Sequence, residues 1–146
     1  MITLVDGQQI ECVLIPDSDR LPLCISPQVG CTLDCRFCLT GTMGLQRNLN
    51  AHEILHQVLL AQDYLASDQR LTNLVFMGMG EPLANLDAVA QAVGRLTDQQ
   101  WGLGFSPRRI TISTAGLASR IQDVAPLKVN LAISLNAPTD ELRREI

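Results

Sequence analysis

Short apolar runs alternate with stretches of helical period along the chain. Residues 2–15, ITLVDGQQIECVLI, read as two strands flanking an Asp6–Gly7 turn signal, a hairpin ended by Pro16. LPLCIS, residues 21–26, is a further short strand that runs into a cysteine-rich loop. After that loop, Asn50 and Glu53 have capping-box spacing, and Ile54, Leu55, Val58, Leu59, Tyr64 and Leu65 fit one apolar face. A helix over 51–66 is expected.

NLVFMGMGEP, residues 73–82, breaks from an apolar run into glycines, the pattern of a buried strand and its C-terminal loop. Leu86, Val89, Ala90, Val93 and Leu96 then repeat with helical period. RITIST (109–114) and VNLAISL (129–135) predict two more strands around a short helix at 117–123. TDELRREI (139–146) opens a helix, with Thr139 as N-cap and Asp140 and Glu141 favouring its positive end.

Strands alternating with helices imply an α/β domain on a parallel sheet, open or closing into a barrel. About four βα units fit into 146 residues, whereas a complete barrel takes ~250. The expectation is a partial (β/α) barrel truncated at its C-terminus: residues 1–20 form a hairpin extension and 21–146 the first part of the core. Its unclosed edge is expected to make the isolated chain poorly soluble or dependent on a partner.

Composition narrows the class. The chain is 47% hydrophobic and 18% charged, with no apolar run of membrane-spanning length and no signal-peptide pattern at MITLVDGQQI. A cytoplasmic protein without membrane contact is expected. A net charge of −4 offers no global field for nucleic acid, so composition by itself argues mildly against RNA.

Five cysteines in such a chain point to metal or redox chemistry rather than structural disulfides. Three of them, Cys31, Cys35 and Cys38, form C-x3-C-x2-C at the end of the first core strand, where α/β proteins place active sites. Three thiolates can hold a [4Fe–4S] cluster with one iron left open for a small molecule. A zinc knuckle, or a thiol group without metal, is the alternative.

The triad with Phe37 before its last cysteine resembles the radical S-adenosylmethionine (SAM) enzymes. The segments DGQQIECVLIP, LCISPQVGCTLDCRFC, FMGMGEPLANLD, GLGFSPRRITISTAG and LAISLNAPTDELRREI resemble, in order and spacing, the core of the RlmN/Cfr-type RNA adenine methyltransferases. That resemblance covers essentially the whole chain. It implies that Cys31, Cys35 and Cys38 hold the cluster while SAM chelates the open iron. It also implies SAM contacts from Gly80, Glu81, Ser113, Ser134, Leu135 and Asn136, the last standing where the family commonly has histidine.

By the same resemblance, Glu11 is the proton acceptor and Cys24 the thiol that resolves a covalent protein–RNA intermediate. One SAM methylates a protein cysteine, and a second yields the radical that activates that methyl group for C2 of an adenine. The substrates implied are 23S rRNA and tRNA, with an electron donor such as flavodoxin. The methyl-carrying cysteine is expected beyond Ile146, so these residues alone should assemble a cluster without methylating RNA. Another radical SAM reaction, or a non-enzymatic metal-binding or electron-transfer module, is the competing reading.

Two further patterns carry weaker signals. His52-Glu53-Ile54-Leu55-His56 matches H-E-x-x-H, but Glu53 is already explained as the capping-box acid. Arg36, Arg47, Arg108, Arg109 and Lys128 are candidate phosphate contacts, although scattered cations are more often a solvated surface. Cys12 matches no role and is read as a packed side chain.

Overall fold

A computed structural model describes all 146 residues. Its centre is a five-stranded mixed sheet built from β3 (Val13–Leu14), β4 (Pro22–Cys24), β7 (Asn73–Phe76), β8 (Ile110–Thr114) and β9 (Asn130–Ile133), in that order. Strands β4, β7, β8 and β9 are mutually parallel, and β3 joins β4 antiparallel with Val13 opposite Cys24. The sheet is open, with β3 and β9 as its edges, rather than closed into a barrel.

The two faces of this sheet differ. Leu23, Leu74 and Ile110 lie side by side in register, Phe76 pairs with Ile112, and all five are fully buried. Onto this face pack α2 (Ala51–Asp63), through Ile54 and Val58, and α3 (Leu86–Thr97), through Val89, Val93 and Leu96. Truncating a side chain such as Phe76 here is expected to cost about 3–5 kcal/mol. The opposite face carries Cys24, Val75, Thr111 and Ser113, all half-buried. The edge strand β9 leaves Leu131 38% and Ile133 48% exposed, so the apolar edge anticipated from the unit count is present.

Local signals explain the helix ends. The Asn50 side chain accepts from the Glu53 N–H while the Glu53 carboxylate accepts from the Asn50 N–H, a complete capping box. Thr139 caps α4 (Asp140–Glu145) by accepting from the Leu142 N–H. Residues 118–127 form a 3-10 segment in place of the short helix expected at 117–123.

The N-terminal hairpin differs from the expected pair of strands. β1 (Ile2–Thr3) pairs with β2 (Gln9–Ile10), and the Asp6–Gly7 turn lies between them, but the second strand ends there. At Glu11 the backbone carbonyl instead accepts from the Ser26 hydroxyl at 2.6 Å, and the following Val13–Leu14 extends the central sheet. An antiparallel ribbon of β5 (Gln28–Gly30) and β6 (Leu45–Asn48) was also unforeseen. It brackets the cysteine loop and the single turn α1 (Leu39–Thr42).

Candidate active site at the C-terminal ends of the strands

The β5–β6 ribbon presents the cysteine loop, and glycine permits its closure. Gly30 sits at φ +74°, beside a register shift in the ribbon, and a Cβ there would lie 1.9 Å from the Gly44 carbonyl oxygen. The Cys31 N–H donates to that same carbonyl at 3.2 Å. Gly41 is buried against the Cys35 backbone, where a Cβ would meet the Cys35 carbonyl oxygen at 3.0 Å.

Three buried carboxamides fasten this ribbon to the sheet. Gln57 of α2 donates to the Ser26 carbonyl and accepts from the Ser26 N–H, both at 2.8 Å. Asn85 donates to the carbonyls of Pro27 and Leu49, also at 2.8 Å. Gln28 donates to Thr32 Oγ1 at 2.8 Å and Asn48 Oδ1 at 2.7 Å, and its oxygen accepts from the N–H of Glu81 at 2.9 Å. A buried amide left unpaired costs about 1–3 kcal/mol, so such complete pairing makes a rigid mount. Reading the sequence for chemistry passes over these amides, because Gln and Asn carry no motif of their own.

Gly80 and Glu81 stand against that mount. Gly80 has φ +103°, and a Cβ would fall 2.5 Å from Gln28 Cβ. The Glu81 side chain is only 3% exposed, and its two oxygens accept from the backbone N–H groups of Leu83 (3.0 Å) and Ala115 (2.9 Å). Glu81 therefore ties the loop after β7 to the end of β8. Next along the rim, Ser113 Oγ and Ser134 Oγ are 3.1 Å apart. Leu135 is exposed, and Asn136 takes a left-handed φ of +55°, which asparagine tolerates better than most residues. Arg143 of α4, unremarked in the sequence, donates to the carbonyls of Ala115, Ser134 and Leu135 and so stitches the same rim.

Cys31, Cys35 and Cys38 are each half-buried and unpaired on the one loop. Burial pushes the Cys31 thiol up, the Leu33 N–H pulls it back, and the nearby Cys35, Cys38 and Glu81 raise it further. No three His, Cys, Asp or Glu side chains are drawn into a closed ligand group, so the thiols are neighbours on a loop rather than a finished coordination shell. As a donor set they fit an iron–sulfur cluster: three free soft thiols and no competing disulfide.

Glu11 and Cys24 join this end of the sheet by different routes. The Glu11 carbonyl is held by Ser26, whose Oγ also accepts from the Met79 N–H at 2.8 Å, while its own side chain is exposed. Cys24 ends β4 on the face that bears Ser113. Burial raises its thiol, the Met77 N–H opposes this, and Cys12 adds to the rise. Cys12 packs against the core, as read from the sequence.

A model of the radical SAM superfamily matches residues 25–146, from the end of the first parallel strand through the whole rim. The chain belongs to the radical SAM superfamily. Radical SAM proteins use a [4Fe–4S] cluster and SAM, so both cofactors follow from membership.

The chain is 55% identical over 144 residues to the dual-specificity RNA methyltransferase RlmN of Syntrophobacter fumaroxidans, covering 98% of this chain and 42% of that protein. It is 54% identical over 148 residues to the protein of the same name from Magnetococcus marinus, covering 100% of this chain and 41% of that one. The crystal structure of a radical SAM methyltransferase from Sphaerobacter thermophilus superposes with a TM-score of 0.88 at 46% identity, over 97% of this chain and 42% of that one. The chain thus spans about 42% of the length of these relatives. No helix is long and apolar enough to cross a membrane.

Proposed function

We propose that this chain is part of a radical SAM methyltransferase acting on C2 of an adenine in 23S rRNA and in tRNA. One observation carries the proposal: a loop with three free thiols is locked through Gln28 to Gly80–Glu81, on a rim that continues into Ser113 and Ser134. The names of the relatives add RNA as the substrate class.

Cys31, Cys35 and Cys38 hold the cluster, which together with SAM supplies one-electron cleavage of SAM and a methyl group. Gly80, packed without a Cβ against Gln28, and Glu81, whose carboxylate is fixed by two N–H groups, form the SAM-binding loop after β7. Ser113, Ser134, Leu135 and Asn136 complete the SAM contacts. Glu11, anchored at its carbonyl and free at its carboxylate, takes the C2 proton. Cys24 resolves the protein–RNA intermediate: its thiolate attacks the bridging sulfur of a cysteine of the longer protein, and as the S–S bond forms, that sulfur's bond to the methylene carbon breaks with the electron pair leaving on the methylated adenine. Burial raises its thiol, so a base must first take the thiol proton. A flavodoxin-like donor supplies the electron.

Anaerobic reconstitution followed by electron paramagnetic resonance tests this. A reduced [4Fe–4S] signal that shifts on adding SAM, and is lost in Cys31→Ala, Cys35→Ala or Cys38→Ala, is expected. A signal indifferent to SAM points instead to a plain electron carrier and sinks the proposal. Transfer of a labelled methyl group from SAM to adenine C2 by a longer protein containing these residues tests the substrate.

A further inference from the structure

The opposite end of the sheet carries a charge pattern that this site does not use. Each parallel strand is entered past a cation: Arg20 precedes β4, Arg70 precedes β7, Arg108 and Arg109 precede β8, and Lys128 precedes β9. All five are exposed, and none forms an ion pair; the paired cations are Arg47 and Arg120. In a chain of net charge −4 this is clustering, not general basicity. Arg47, one of the earlier phosphate candidates, is excluded because Glu53 and Asp6 already occupy it.

The backbone beneath these cations is held in place. Asp17 and Arg20 exchange two backbone hydrogen bonds, at 3.0 and 2.8 Å, across a turn with Ser18 at φ +50°. The Leu21 N–H donates to Thr72 Oγ1 at 2.9 Å and the Thr72 N–H donates to the Leu21 carbonyl at 3.1 Å, locking the Arg20 and Arg70 segments together. Buried Leu71 and Ile110 follow Arg70 and Arg109, and Asn130 donates to the carbonyls of Arg108 and Ile110. Arg20, Arg70 and Arg109 then line one cleft of about 420 Å³ with Asp19, Thr72 and Asn73, and no apolar residue borders it.

Asp19 lines this cleft and Asp68 the space adjoining Arg20 and Arg70, so three guanidinium forks face two carboxylates, a surplus that suits a phosphate chain, whose oxygens accept bidentate N–H pairs. An apolar ligand would have nothing here to pack against. We propose that this cleft binds the phosphodiester backbone of a structured RNA at the pole of the sheet away from the cysteine loop. It rests on RNA being the substrate. The strands are three to five residues long, so the two poles are ~10–17 Å apart at about 3.3 Å per residue, a span one folded RNA covers. Phosphate contacts position without reading sequence, so the cleft orients RNA whose target base lies at the far rim.

The test is fluorescence anisotropy of a longer protein containing these residues with a labelled RNA hairpin, from roughly 50 to 200 mM salt. The triple variant Arg20→Gln, Arg70→Gln, Arg109→Gln should bind at least tenfold more weakly at low salt. Its slope of log affinity against log salt should fall by about two to three, near one per lost phosphate contact. The matching triple Lys variant should keep most of that slope. Circular dichroism melting checks the fold, and the single variant Arg109→Glu serves if the triple Gln variant unfolds. RNA binding that persists in folded variants with unchanged slope overturns the cleft and leaves the RNA reading standing. Absence of RNA binding by the unaltered longer protein overturns both. If the same variants lose only co-sedimentation with phosphatidylserine vesicles, the cleft is a lipid-headgroup site and the proposal fails.

Discussion

The side-chain oxygen of Gln28 accepts the backbone N–H of Glu81 at 2.9 Å, joining the base of the cysteine loop to the glycine-rich loop after β7. The same side chain also donates to Thr32 and Asn48, and it is fully buried. Replacing Gln28 with Leu should strand several polar groups and cost about 2–4 kcal/mol, read by urea denaturation. Iron bound per chain after reconstitution should fall with it. Full iron loading in a folded Gln28→Leu protein would show that the two loops are positioned independently.

Two glycines with similar backbone angles separate strain from crowding. Gly7 (φ +83°) has nothing within 4 Å of an added Cβ, whereas Gly30 (φ +74°) has the Gly44 carbonyl at 1.9 Å. Gly7→Ala should therefore cost only the left-handed penalty, about 1 kcal/mol, and Gly30→Ala at least twice that. Equal melting temperatures for the two variants would contradict the geometry.

Arg47 bridges Glu53, the capping-box acid of α2, and Asp6, in the hairpin turn. Hydrogen bonding to Arg47 holds both carboxyls below the usual carboxylate range, and in Glu53 it outweighs the opposing effect of burial. A depressed folded value stabilises the fold above the unfolded carboxylate pKa, near ~4, and the gain vanishes as pH falls through the folded value. The melting temperature of the natural chain should thus exceed that of Arg47→Met at pH 7 and converge with it in acid. A gap that widens on acidification would refute the assignment.

Ser113 and Ser134 meet at 3.1 Å across the ends of β8 and β9. The double variant Ser113→Ala, Ser134→Ala should load its cluster normally yet require at least fivefold more SAM to shift the paramagnetic signal. An unchanged SAM titration would remove both serines from the cofactor site.

Local interactions account for what could be read along the chain. The capping box at Asn50 and Glu53, the Thr139 cap and the helical periods of α2 and α3 involve residues three or four apart, so spacing suffices to find them. The cysteine triad is equally local. The break of the hairpin at Glu11 was hidden, because it depends on Ser26, fifteen residues away, competing for the Glu11 carbonyl.

By itself, then, the sequence determined the alternation of the parallel strands with α2 and α3, the thiol set and the family, all matters of residue type and short spacing. Only the tertiary structure decided how the loops are mounted. Gln28 reaches Glu81 across 53 positions, Gln57 reaches Ser26 across 31, and Asn85 reaches Pro27 across 58. It also decided that the cations before β4, β7 and β8 face one cleft. Parallel strands bring their starts together at one pole and their ends at the other, and that convergence has no counterpart in linear spacing.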